Sequence, residues 1–457
     1  MKMTVYKAAA HRAASGKRGE AERNEKGEGY EVPKETDAPE CGLAEMLKEE
    51  VIQILDMTAE LDDESVGRAI DGVILRESGR RYIPLREKLR LRRELFHSIR
   101  GLDVLSELLE DPEVTEIMIN GTDSIYAERR GRITRTELRF ENDERLLSVI
   151  GHMVSGANRA VNETNPIMDA VLPDGSRVNI VLSGISRNGS AVTIRKFPEK
   201  AYSMDDLIKL GSLDAGTAEF LKLLVSARYN IFLSGSTGSG KTTFLNALAE
   251  AIPEDERVIT IEDVAELSLR GPGNLVRLEA RTANVEGKNE VTIRELVKTS
   301  LRMRPDRVIV GEVRDAAASD MINAMLTGHD GSLSTGHSNS VPDMLLRLEM
   351  MIASAGEQLP VDSIRRRIAS ALDIVIHLGR LRDKSRRVLE ITEVLGYEKG
   401  EIMLNPLFRF AESGEEKGRV IGELKAVNPL KKREKLQMAG KKLPEEKVPE
   451  EKAPDSD

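Results

Sequence analysis

The 457-residue sequence has no tryptophan, a single cysteine and only 3% aromatic residues. With Cys41 alone, an intrachain disulfide and a multi-cysteine zinc site are both excluded, and a reducing compartment is expected. No apolar run approaches the length needed to span a bilayer, and the N-terminus carries positive residues without an apolar signal core. The chain therefore reads as cytoplasmic, with any membrane association made through a partner. The scarcity of aromatics gives no stacking platform for single-stranded nucleic acid, and the net charge of -9 argues weakly against a polyanion as main partner.

What is present is enough for two or three domains, since 40% of residues are hydrophobic and 32% charged. Residues 1–40 are rich in Lys, Arg, Glu and Gly and are expected to be a disordered charged tail. From Leu43 the pattern changes: Leu43, Met46, Leu47, Val51, Ile54 and Leu55 share one helical face, and a second charged helix covers 85–99, so 41–100 reads as a short helical lead. Residues 101–197 carry mixed signals of a small α/β domain. These are a helix at 102–110, strands near 115–119, 124–128 and 133–140, a helix at 145–154, and strands at 170–172, 177–182 and 192–197. Residues 198–213 read as a linker with one short helix. Strand and helix signals then alternate through Phe410, which argues for a largely parallel sheet covered by helices on both faces in a domain spanning 214–425. The Lys-, Glu- and Pro-rich end, 426–457, reads as a second disordered tail.

The most informative stretch is NIFLSGSTGSGKTTFLN, residues 230–246. A short apolar strand runs into glycines and then into a helical pattern stopped by Pro253, which is the context a phosphate-binding P-loop needs. Gly235, Gly238 and Gly240 lack Cβ atoms, so the backbone N–H groups from Gly235 through Ser236, Thr237, Ser239 and on to Thr243 can close around phosphate oxygens at a helix N-terminus. Lys241 then reaches the β and γ phosphates of ATP, and the Thr242 hydroxyl can ligate Mg2+.

Two further strands deliver carboxylates to the same sheet edge. VITI at 258–261 ends in Glu262-Asp263, and RVIV at 307–310 ends in Gly311-Glu312. Many P-loop enzymes hold magnesium with an Asp where this chain has Gly311, so another acid must act. Glu312, with Asp263, is assigned to the magnesium side and Glu262 to orienting the attacking water, the reverse assignment remaining open. The competing role for these acids is capping of helices or pairing with Arg314. In GHDGSLSTGHSNS, residues 328–340, two histidines are expected near the same edge, with His337 preferred over His329 as a sensor of the γ phosphate.

GSTGSGKTT, ITIED, LRMRPDRVIVGEVR and TGHDGSLSTGHSN together resemble the Walker A, Asp-box, Walker B and His-box motifs of the type II and type IV secretion and pilus ATPases. DPEVTEIMING, LPDGSRVN and TIRKF are similar to that family's N-terminal domain, and the resemblance runs from about Gly101 to Val394. Within the family the sequence most resembles the tight-adherence (Flp) pilus ATPases of the TadA/CpaF type. The resemblance implies a RecA-like P-loop ATPase domain behind a smaller α/β N-terminal domain, in a homo-hexamer acting on inner-membrane platform proteins. The segment Thr-Gly-His-Ser-Asn at 335–339 departs from the common Thr-Leu/Ile-His-Ala-Asn. The tetracysteine zinc module of many relatives is ruled out by the lone Cys41, which points to the tight-adherence or conjugative branches.

In such a family the nucleotide lies between the two domains. Arg177 and Arg195, just before the linker, are therefore expected to close onto ATP bound by the same chain, ahead of Arg302, Arg304 and Arg314 near the Walker B strand. The alternative for the pair is surface ion pairing. Two other functions compete with a protein-secretion or pilus motor: a conjugative or nucleic-acid-translocating ring, and a scaffold that binds ATP without turnover.

Overall fold

The computed structural model describes residues 41–55, 63–99, 102–129, 131–155, 161–197, 201–283, 288–356 and 359–443. The tail expected over 1–40 lies outside the described residues.

The leading unit holds the helices Cys41–Ile54 and Asp63–Arg80 and most of the helix Leu85–Ile99. Their apolar stripes supply its buried side chains, among them Leu47, Val51, Ile70, Val73, Leu91 and Leu95.

The second unit begins with a six-stranded antiparallel sheet. Its strands are β1 (Val114–Asn120), β2 (Ile125–Arg129), β3 (Arg132–Arg135), β4 (Ile167–Val171), β5 (Arg177–Val181) and β6 (Ala191–Arg195), in the order β3-β2-β1-β6-β5-β4. Ile117, Ile119, Val178, Ile180, Val192 and Ile194 point to one face and pack on Leu146, Val149, Ile150 and Met153 of the helix Asp143–Val154. Asn142 caps that helix, its side chain accepting from the Arg145 N–H at 2.8 Å. Because side chains alternate along a strand, Arg177 and Arg195 emerge from the other face, and they are direct cross-strand partners.

The same unit continues into a nine-stranded sheet: β7 (Ile231–Gly235), β8 (Arg257–Glu262), β9 (Asn274–Glu279), β10 (Arg307–Val310), β11 (Leu333–His337), β12 (Ile374–Arg380), β13 (Arg386–Glu398), β14 (Glu401–Glu416) and β15 (Arg419–Ala426). Its order is β15-β14-β13-β12-β7-β11-β10-β8-β9. The six strands from β12 to β9 are parallel, whereas β13 to β15 extend the sheet as antiparallel hairpins. The parallel part is covered on both faces, as such strands require. Ile231 and Leu233 face a core with Leu221, Leu245 and Leu248, while Phe232 faces one with Met344, Leu348 and Ile368. This is a RecA-like α/β domain, with one strand, β11, between the P-loop strand β7 and β10, the strand that leads into Glu312.

Two boundaries differ from the sequence reading. Residues 201–213, read as linker, contribute Met204, Leu207 and Leu213 to the first core, and the short helix Met204–Lys209 starts in a Ser203/Asp206 capping box. Residues 427–443, read as tail, are folded onto the domain. Leu430 and Leu436 are buried, and fully buried Glu393 accepts from the N–H groups of Lys431 and Lys432. Tyr229 Oη donates to the Lys432 carbonyl at 2.6 Å, and Lys435 Nζ donates to Asp330 and Asp373 at 2.6 and 2.7 Å. Two leucines in a run of charges bury little surface, so hydropathy alone underweights a segment held by hydrogen bonds to buried acceptors.

Candidate active site

Parallel strands end on a common edge, and β7, β8, β10 and β11 bring their C-termini together around one cleft of about 270 Å3. Thr237, Gly238, Gly240, Lys241, Thr242 and Thr243 form one wall. Gly238 and Gly240 have φ of +72° and +93°, a left-handed conformation that turns the loop into the helix Lys241–Ala249. Gly235 and Ser236 contribute carbonyls instead of lining, each accepting from Lys241 Nζ at 3.0 Å. Ser239 Oγ is buried without a hydrogen-bond partner among the described residues.

Glu262, Asp263 and Glu312 form the facing wall. Glu262 is 5% exposed, and its Oε1 accepts the N–H groups of Glu266 and Leu267 at 2.9 and 2.8 Å. Burial outweighs those two bonds and pushes its carboxyl up to about 7. Gly311 is explained by the same side chain, because a Cβ there would lie 3.0 Å from Glu262 Cγ. Burial also pushes Glu312 up, but the Arg314 hydrogen bond at 3.0 Å and the charges of Arg314, His337 and Lys241 outweigh it and hold the group below its usual range. Asp263 lies 4.0 Å from Arg314.

His337 bridges the two walls. Its Nδ1 is 3.1 Å from Lys241 Nζ and its Nε2 is 3.0 Å from Glu312 Oε1. Lys241 as an ammonium can only donate, so Nδ1 accepts and the ring proton sits on Nε2. Burial, followed by the Lys241 charge, lowers the His337 pKa against the pull of Glu312. Glu312 Oε1 is nevertheless buried and without a hydrogen-bond partner among the described residues. Burial lowers Lys241 to about 8, against the pull of Glu312.

Arg177 and Arg195 line the cleft from the preceding domain. Arg177 donates to the Val264 carbonyl at 2.9 Å and pairs with Glu266 at 3.1 Å, so it already bridges the two domains. Arg195 is 51% exposed and lies 4.0 Å from Glu116. Like charges directly opposite on neighbouring strands are unfavourable unless something anionic offsets them.

Three residues named from the sequence lie elsewhere. His329 was expected near the same edge as His337, but it precedes β11, whereas His337 ends that strand, so the two lie at opposite edges of the sheet. His329 Nδ1 lies 3.2 Å from the Ala324 carbonyl. Arg302 and Arg304 precede β10 and sit at that far edge too, Arg302 bonding Lys298 O and Thr299 Oγ1 of the preceding helix, Ile293–Ser300. Arg314 follows β10 and lines the cleft. The sequence reading missed Glu266, and it missed Arg386, whose Nε donates to the Gly238 carbonyl at 2.8 Å from 148 residues away. No local pattern marks a contact of that range.

Among the described residues no group of three or more His, Cys, Asp or Glu is arranged to hold a metal. A buried carboxylate oxygen lacking a hydrogen-bond partner, across a cleft from a Thr hydroxyl, fits Mg2+ held partly by nucleotide phosphates.

The sequence matches the Type II/IV secretion system protein family over residues 99–444. It is 34% identical over 319 residues to the conjugal transfer protein TrbB of Rhizobium radiobacter, covering 68% of this chain and 93% of that one. It is 32% identical over 303 residues to the type IV secretion system protein VirB11 of Brucella suis biovar 1 (strain 1330), covering 61% and 84%. The crystal structure of the Brucella suis VirB11 ATPase in complex with sulphate is 30% identical and covers 63% of this chain and 91% of its own, with a TM-score of 0.34. The match spans both the antiparallel and the P-loop domain, and the chain belongs to the type II/IV secretion system protein family, as an ATP-hydrolysing secretion-system enzyme.

Proposed function

We propose that the protein is a hexameric motor that couples ATP hydrolysis to the assembly of Flp-type pili at the inner membrane. The observation that carries the motor reading is the two-domain cleft. Phosphate-binding, acidic and sensing groups of the ATPase domain face two arginines of the preceding domain, so charge on the nucleotide is felt by both. In this reading Lys241 and the P-loop N–H groups bind the β and γ phosphates, and His337 faces the γ phosphate. Glu262, poised near neutrality, accepts the proton of the attacking water, and Arg195 and Arg177 stabilise charge on the transferred group. Thr242 and Glu312, with Asp263, would hold Mg2+, which when bound would supply charge that neutralises the phosphates. Among the described residues no helix is long and apolar enough to cross a membrane, so platform proteins would tether the ring.

The pilus assignment rests on the sequence motifs and the missing cysteines. Similarity to a conjugal transfer protein favours a second reading, a conjugative type IV secretion ATPase. Purified Lys241→Ala should stay folded, bind ATP weakly and lose hydrolysis; near-normal turnover would remove the P-loop from the mechanism. Deleting the gene should abolish surface pili and leave DNA transfer intact, whereas loss of transfer with pili retained would select the conjugative reading. Turnover stimulated by DNA would support the nucleic-acid motor.

A further inference from the structure

A hydrogen-bonded chain rooted in buried Ser234 and His377 adjoins the cleft residue His337 and takes no part in the mechanism above. Ser234, the residue before Gly235 at the end of β7, is fully buried. Its Oγ lies 2.5 Å from Ser338 Oγ on one side and 3.0 Å from His377 Nδ1 on the other. Ser338 Oγ donates onward to the Ser340 carbonyl at 2.9 Å, and His377 is hydrogen bonded to the Asn339 backbone. The register makes this geometry inevitable. β11 pairs Gly336 with Ser234 and His337 with Gly235, while β12 pairs His377 with Ser234 from the opposite side. The ends of β7 and β11 and the middle of β12 are therefore tied through one hydroxyl, and the segment being tied, 338–340, begins one residue after His337.

The same segment explains the two departures at 335–339. At Gly336 a Cβ would lie 2.9 Å from Met344 Cε and 3.1 Å from Phe232 Cε1, so those side chains occupy the room that a Leu or Ile would need. The sensor strand thus lacks a large side chain to anchor it at 336, and the hydroxyl at 338 supplies a polar anchor instead. A partly buried hydroxyl chain with its partners satisfied fixes geometry more sharply than apolar contact, because each bond has a narrow range of distance and angle.

We propose that Ser338, Ser234 and His377 are positioning residues that hold His337 in register with Lys241, so that the protein distinguishes ATP from ADP. The inference rests on the reading that His337 faces the γ phosphate. Ser338→Ala, Ser338→Thr, His377→Phe and His337→Ala are compared by the ratio of affinities for a non-hydrolysable ATP analogue and ADP, by kcat and KM, and by thermal melting.

Ser338→Ala and His377→Phe should lower the ATP/ADP preference and cut kcat about tenfold, with KM for ATP little changed, as expected when a group is displaced by a fraction of an ångström. Ser338→Thr, which keeps the hydroxyl, should restore both. In the His337→Ala background, adding Ser338→Ala should change neither quantity further. A Ser338→Ala protein that melts earlier but keeps the wild-type ATP/ADP ratio would overturn the proposal, as would additive losses in the double variant. If His337→Ala itself keeps the wild-type ratio, the reading of His337 as sensor fails first.

Discussion

Gly311 and Glu262 occupy one volume: a methyl group on the first would lie 3.0 Å from Cγ and 3.4 Å from Oε1 of the second. The missing aspartate of the Walker B strand is thus linked to a glutamate on the neighbouring strand, the two positions being adjacent across a parallel ladder in which Gly311 donates to the Ile261 carbonyl at 2.8 Å.

Gly311→Ala should therefore act through Glu262. Overpacking of this kind typically costs about 1–3 kcal/mol, so urea denaturation should show a loss in that range. Hydrolysis should fall more than ATP binding does. Unchanged turnover would mean that Glu262 can move aside without consequence.

The raised pKa of Glu262 has a definite sign. As a base it must be ionised, so kcat/KM should climb with pH through about 7 and level off above. Stability should run the other way. A carboxyl raised from 4.5 to about 7 binds more protons in the folded state between those values, so stability falls as pH rises through that window and is flat beyond it. Glu262→Gln should remove both slopes while lowering turnover by roughly a hundredfold or more. Glu262→Gln with the wild-type rate would transfer the base role to another group.

Arg195 and Arg177 should separate in experiment although they are cross-strand partners. Arg177 is engaged with Val264 and Glu266, so Arg177→Ala should loosen the domain contact as well as slow hydrolysis. Arg195→Ala should bind ATP and hydrolyse it poorly with little change in melting. Mixing Arg195→Ala with Lys241→Ala subunits should recover no activity beyond dilution. Recovery would show that the arginine acts on a neighbour's ATP.

The anchored segment 427–443 carries a stability prediction. Leu436→Ala should cost about 2–4 kcal/mol as a large-to-small change in a filled core, read from denaturant midpoints. Lys435→Met, which leaves Asp330 and Asp373 without their shared ammonium, should also lower the melting temperature. If neither variant melts earlier, the segment is dispensable to the domain.

The parallel core was legible in the sequence because apolar runs such as IFLSG and VITI alternate with helical stretches at regular spacing, and parallel topology fixes which strand ends meet. The acids at and just past the ends of β8 and β10 follow from that rule alone. Telling His329 from His337 needed more, namely which side of β11 each occupies, and the glycine-rich loop between them hides that boundary. The hairpins β13 to β15 were absorbed into the expected alternation, because antiparallel strands that cover a core have the same apolar content as parallel ones. Arg386 and the anchor at Lys435 depend on pairings across 148 and 105 residues, which leave no periodic trace in composition.

The helix Val341–Ala353 starts four residues after His337, and Ser340 caps it through a bond from the Asp343 N–H at 3.1 Å. Its thirteen residues form a rod about 20 Å long, at 1.5 Å per residue. A tilt of about five degrees at its base would sweep the far end through roughly 2 Å by that same length. Leu346 and Met350 are exposed along this rod. If His337 senses the γ phosphate as proposed, a tilt of this helix would move both side chains farther than it moves the histidine.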